Sequence, residues 1–111
     1  MRGPPHATRV DLFGGQGEVR LWDLLGAATA AAPFTTVLWC ELAPGGRVGA
    51  HRQADDAELV IGLGGQGRAF VGDVEHALGE GAVVSLPLGA ILRLENLGDA
   101  PLRYLIVKAR P

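Results

Sequence analysis

The two stretches that decide the fold read GGRVGAHRQADDAELVIGLGG over residues 45–65 and GAVVSLPLGAILRLEN over residues 81–96. Both are rich in aliphatic and β-branched residues, and glycine or proline interrupts them at short intervals. This composition is typical of short β-strands joined by tight turns. The two stretches therefore predict neighbouring parts of a β-sheet structure.

The same pattern extends over most of the chain. Seventeen glycines and seven prolines divide it into short segments, as in a sandwich or barrel of short strands. One short helix or ordered loop is predicted over residues 24–33, where alanines favour helix but Gly26 and Pro33 limit its length. We predict strands at residues 8–13, 17–23, 34–43, 48–53, 58–63, 67–72, 74–78, 82–86, 91–96 and 102–109.

Length and charge limit the class of protein. The 111 residues are enough for one domain over 1–111, with a flexible start over 1–8 and a core barrel over 34–109. A net charge of −2 without a basic run argues against nucleic-acid binding. The N-terminus has no apolar core of a signal peptide, and no segment is long enough to cross a membrane. We therefore expect a soluble cytoplasmic protein.

Three polar residues of the first stretch form the candidate site. Alternation along a strand places His51 and Gln53 on one face, and Glu58 opens the next strand after a polar turn. The apolar residues that follow Glu58 make its burial costly unless it meets a metal, a cation or a hydrogen-bond donor. Without a metal, the pKa of Glu58 is expected to rise, which would make it a candidate acid or base.

Glycine, proline and asparagine residues surround this site with a spacing that resembles the two signature motifs of the cupin superfamily. The resemblance implies an all-β double-stranded β-helix, or jelly-roll barrel. His51 and Glu58 match two of the family's ligand positions, whereas Gln53 and Leu92 stand where the family usually carries histidine. The matching frame positions are Gly45, Gly65, Gly81, Pro87, Gly89 and Asn96.

The resemblance further implies a divalent metal, commonly iron, manganese, nickel or zinc. Carried over to this chain, His51 and Glu58 would be ligands, Gln53 would offer only an amide oxygen, and Leu92 has no lone pair to give. We nevertheless place Leu92 in the ligand pocket with the other three.

Two residues outside the metal positions complete the predicted pocket. His76 shares a strand face with Leu78, and that face is expected to point into the barrel. Tyr104 lies on an alternating strand and is expected to line the cavity with its hydroxyl. Cys40, the single cysteine, is expected to be a small buried apolar residue.

Three functions remain open from the sequence, and they leave undecided whether the protein is an enzyme. The first is a metal-free or weakly metal-binding protein that holds a small organic ligand in an aliphatic barrel. The second is a metal-dependent dioxygenase or isomerase using His51, Gln53 and Glu58, with Glu58 also carrying protons. The third is a structural or interaction module with a vestigial pocket.

The high apolar content, 48 %, favours a homodimer.

Overall fold

The computed structural model describes residues 3–26 and 33–111. Within these ranges it contains ten strands and one short 3₁₀ turn, Leu12–Gly14, which we call the N-terminal turn. Most of the predicted helix or loop over 24–33 falls on residues 27–32, outside the described residues. The strands are β1 (Ala7–Val10), β2 (Glu18–Asp23), β3 (Phe34–Leu42), β4 (Arg47–Arg52), β5 (Ala57–Gly64), β6 (Gln66–Val71), β7 (Val74–Gly79), β8 (Val83–Leu86), β9 (Ile91–Asn96) and β10 (Leu102–Ala109).

The strands form two antiparallel sheets that enclose the core. One sheet has the order β1-β2-β3-β10-β5-β8 and the other the order β4-β9-β6-β7. Alternate residues of both sheets point inward, so that leucine and valine side chains such as Leu42, Val60, Leu78 and Leu94 fill the interior. The predicted all-β jelly-roll barrel is therefore confirmed. No helix in the described ranges is long and apolar enough to cross a bilayer.

The first strand differs from its prediction. Extended structure was expected over residues 8–13, but β1 ends at Val10. Asp11 and Phe13 adopt φ angles of 53° and 55°, and this left-handed conformation turns the chain out of the strand. Residues 7 and 8, expected to be flexible, lie in β1, where Thr8 is opposite Arg20 of β2.

The N-terminal turn packs closely on β4. Gln16 and Arg47 exchange backbone hydrogen bonds of 2.8 and 2.7 Å. A Cβ atom on Gly49 would collide with the carbonyl oxygen of Phe13, and one on Gly15 with that of Arg47. Glycine at both positions therefore permits the approach of two backbones, which fixes Phe13 over one end of the barrel.

Asn96, the last residue of β9, connects the end of β3 and the loop after it with the loop between β9 and β10. Its Nδ2 atom donates hydrogen bonds to the carbonyl oxygens of Leu42, Ala43 and Ala100 at 3.0, 3.1 and 2.9 Å. Its Oδ1 atom accepts one from the Gly98 amide at 2.9 Å. The side chain is buried and fully used, so its part is structural.

The outer surface of the six-stranded sheet carries two rows of apolar residues, which we call the outer apolar face. They alternate with the inward-facing residues of the same strands. Trp22, at one end, is buried, whereas Val83 at the other end is 62 % exposed and Leu59 is 38 % exposed. In cross-strand register, one row is Trp22, Trp39, Leu105, Ile61 and Val83, and the other is Val37, Val107 and Leu59.

Candidate functional site

A cavity of about 210 Å³ lies between the two sheets, next to the N-terminal turn. Its wall is mostly aliphatic, with residues from both sheets and from the turn. Such a cavity, apolar with a few convergent polar groups, is the usual form of a small-molecule site. The polar residues in its lining are Arg9, Cys40, His51, Glu58, Tyr104 and Lys108.

Four of the six predicted pocket residues line this cavity. His51 in β4 is in register with Leu92 in β9, and both face the cavity together with Glu58 and Tyr104.

Gln53 and His76 are absent from the cavity lining, as far as the described residues show. Gln53 follows the end of β4 and is buried at 4 % exposure, and its Nε2 atom has no hydrogen-bond partner in the described part of the chain. β4 ends at Arg52, so the alternation of a strand does not extend to Gln53. His76 lies half-buried on β7, opposite Ala69 of β6.

Glu58 is the most unusual group in the cavity. It is only 4 % exposed, and its Oε1 atom finds no hydrogen-bond donor within 3–26 and 33–111. The nearest cation is the ammonium of Lys108, whose Nζ atom is 3.7 Å from Oε1. Burial raises the pKa of Glu58 from 4.5 to about 7, although the charge of Lys108 opposes the rise. The direction agrees with the sequence prediction.

Tyr104 and Cys40 form a neutral pair beside Glu58. They are opposite each other in the β3–β10 register, and their side chains are hydrogen-bonded. Burial raises the pKa of the Cys40 thiol to about 12 and the pKa of Tyr104 well above its usual value. The thiol is therefore unreactive, and the hydroxyl of Tyr104 remains protonated.

The Phe13 ring covers His51 at the mouth of the cavity. The two rings stack with centroids 3.9 Å apart and planes inclined by 15°. Nδ1 of His51 is 3.2 Å from the Gly49 carbonyl oxygen, which can only accept, so Nδ1 carries the proton. Burial lowers the pKa of His51. The imidazole is therefore neutral near pH 7.

Comparison with known proteins agrees with this geometry. Residues 38–108 match a family model described as a cupin domain. The chain belongs to the cupin family. A crystal structure from Thermotoga maritima, described as a predicted oxalate decarboxylase, is 25 % identical to this cupin with a TM-score of 0.87, and the match covers 95 % of this chain and 91 % of that one.

Two further cupin structures share the architecture. A cupin 2 conserved barrel domain protein from Salinispora arenicola CNS-205 is 26 % identical with a TM-score of 0.74, over 98 % of this chain and 88 % of that one. A cupin-like protein from Thermotoga maritima is 17 % identical with a TM-score of 0.80, over 98 % and 80 % of the two chains, and it shows the fold alone. No curated protein matches the chain.

The donor atoms of this cupin do not fit a divalent metal. No group of three or more His, Cys, Asp or Glu residues within 3–26 and 33–111 lies close enough to hold an ion. His51 and Glu58 supply one imidazole and one carboxylate, whereas catalytic metals in proteins usually have three strong protein ligands. Leu92 presents hydrocarbon, and Gln53 does not line the cavity.

Sequence reasoning missed three polar or aromatic members of the site. Lys108 could have been found, because it continues the inward-facing series of Leu102 and Tyr104 with a period of two. Arg9 and Phe13 could not, because Arg9 reaches the cavity only through the pairing of β1 with β2, and Phe13 only when the N-terminal turn docks on β4. Both contacts depend on tertiary structure and have no local sequence signal.

Proposed function

We propose that this cupin binds a small, largely apolar organic molecule that donates a hydrogen bond to Glu58, without the help of a metal ion. One observation carries the proposal: Glu58 Oε1 lies buried in the cavity wall and lacks a hydrogen-bond donor in the described part of the chain. An unsatisfied buried acceptor costs about 1–3 kcal/mol, and the ion pair with Lys108, at 3.7 Å, offsets only part of that cost. A ligand with an O–H or N–H group would recover that free energy.

The size of the cavity limits the ligand. An apolar cavity of about 150 Å³ is enough to hold benzene, and the present cavity is about 210 Å³. A molecule with one ring, or an aliphatic chain of similar volume, therefore fits. The aliphatic wall favours an apolar body, and Tyr104 and Lys108 can bond a second polar group.

The experiment compares p-cresol with toluene, because the two differ by one hydroxyl group. Binding to the wild-type protein is measured by NMR titration. A hydrogen bond to a charged group contributes about 1.5–3 kcal/mol, so p-cresol should bind about tenfold or more tightly than toluene. The preference should disappear in Glu58→Leu and persist in Glu80→Leu, which removes an exposed carboxylate. Equal affinity of the two probes, or no binding of p-cresol to the folded protein, contradicts the proposal and favours a vestigial pocket.

Metal-independent proton transfer on the bound molecule is a second candidate. It is favoured by the combination of a buried carboxyl group in Glu58 with two donors, the ammonium of Lys108 and the hydroxyl of Tyr104, in the same cavity. The donors would hold a carbonyl oxygen while Glu58 exchanges the adjacent proton. NMR detects this as deuterium uptake by cyclohexanone in D₂O, which should be lost in Glu58→Gln. Uptake at the rate of buffer alone contradicts this candidate.

Decarboxylation of oxalate, suggested by the description of the Thermotoga structure, is less favoured. Oxalate is a small dianion with no apolar body, and although Arg9 and Lys108 line the cavity, the rest of its wall is mostly aliphatic and includes the carboxyl group of Glu58. Like charges at short range in a poorly solvated site repel each other strongly.

A further inference from the structure

Lys108 places a cation in the cavity next to Glu58, the residue that would be a metal ligand according to the family resemblance. Lys108 in β10 is in register with Glu58 in β5, and its Nζ atom is 3.7 Å from Oε1. The side chain of Glu58 is 1 % exposed and that of Lys108 is 32 % exposed. The carboxylate is thus removed from water and already has a positive neighbour.

We infer that Lys108 is a specificity-determining residue that keeps divalent metal ions out of this cavity. A metal bound to a carboxylate oxygen lies about 2.0–2.2 Å from it. A metal on Oε1 would therefore be at most about 6 Å from the ammonium, given the Nζ–Oε1 distance of 3.7 Å. Two cations this close repel each other strongly, because few waters screen them.

Leu92 disfavours metal binding for a different reason, because its side chain has no donor atom. It is in register with His51 and only 1 % exposed. A histidine at this position would stand beside His51 and complete a set of two imidazoles and one carboxylate, which suits zinc and similar ions. The two obstacles can therefore be removed separately: Leu92→His adds a ligand, and Lys108→Gln removes the charge.

The experiment uses Co(II) alone as the probe and four proteins: wild type, Leu92→His, Lys108→Gln and the double variant. Affinity is measured by calorimetry, and coordination by the visible absorption of bound Co(II). The double variant should bind Co(II) at least about a hundredfold more tightly than Leu92→His, and neither wild type nor Lys108→Gln should bind stoichiometrically. Leu92→His with Lys108→Arg keeps the positive charge and should behave like Leu92→His alone.

Three results would overturn the inference. Co(II) could bind Leu92→His as tightly as the double variant, it could bind the wild type stoichiometrically, or it could fail to bind a folded double variant. Circular dichroism establishes the fold of each protein. If histidine at position 92 prevents folding, Leu92→Cys repeats the comparison with a smaller and less polar donor that is readily buried, and the same results decide. The outcome is independent of the organic ligand proposed above.

Discussion

Glu58 sets the electrostatics of the cavity because it is an ionisable group among aliphatic side chains. The cation that acts on it is Lys108, and the neutral hydrogen-bonded pair of Tyr104 and Cys40 lies beside it. Burial favours the protonated carboxyl group and Lys108 favours the ionised one, and the result is a pKa of about 7. The charge in the cavity therefore changes close to physiological pH.

The raised pKa of Glu58 predicts that stability falls as pH increases. The folded protein keeps a proton that the unfolded chain loses between pH 4.5 and about 7, so the free energy of unfolding declines over this range. At about 1.4 kcal/mol per pKa unit, the loss approaches about 3 kcal/mol. Urea unfolding at pH 5 and pH 8 should show this decline in the wild type and not in Glu58→Gln. His51 is present in both proteins and therefore contributes equally to both pH profiles. If the two profiles were parallel, Glu58 would contribute nothing to the decline, which would mean that its carboxyl group is in contact with water.

The hydrogen bonds of Asn96 lead to a second prediction. In Asn96→Asp, the three carbonyl oxygens of Leu42, Ala43 and Ala100 lose their donor and face a carboxylate. The free energy of unfolding should fall by about 3 kcal/mol or more. Gln66→Glu makes the same chemical change at an exposed position and should cost less than about 0.5 kcal/mol. Similar losses in both variants would contradict the structural part given to Asn96.

Among the elements, the N-terminal turn matters most for the site. It supplies Phe13, whose left-handed backbone costs about 1–2 kcal/mol and whose ring stacks on His51. Asp11 also has a positive φ, and its Oδ1 atom accepts a hydrogen bond of 2.9 Å from the Gly17 amide. Local bonds and the docking on β4 together hold this conformation.

Gly49→Ala should detach the turn from β4. The new methyl group would overlap the Phe13 carbonyl oxygen, and overpacking of this kind costs about 1–3 kcal/mol. Hydrogen exchange at the amides of Gln16 and Arg47 should become faster than in the wild type. Gly64→Ala is the matched control, because a Cβ there meets nothing within 4 Å. Unchanged exchange in Gly49→Ala would show that the turn is not held by this contact.

The outer apolar face is the surface to test for the predicted homodimer. Exposed leucine and valine side chains in adjacent rows are typical of protein interfaces. Light scattering after gel filtration should give twice the chain mass of 11.6 kDa for the wild type and the mass of one chain for Leu59→Asp. Val74→Asp, at an exposed position of the other sheet, should remain dimeric. A monomeric wild type would contradict the prediction.

Most of the barrel is predictable from the sequence because its signals are local. Turn-forming glycines and prolines and the period of two along each strand are enough to place β2 to β10 within about two residues of their observed bounds. The site is only partly predictable. His51, Glu58, Leu92 and Tyr104 follow from strand alternation and the motif frame. Gln53 lies one residue beyond the end of β4, where the alternation no longer applies, and the N-terminal turn depends on Gly49, more than thirty residues from Phe13.

The covering of the cavity comes from a part of the chain outside the family match. Arg9, Leu12 and Phe13 line the mouth, whereas the match begins at residue 38. Different side chains at positions 9, 12 and 13 would change which molecules enter while leaving the ten strands and the hydrophobic interior intact, so selectivity in such a protein can evolve in the segment that precedes the family match.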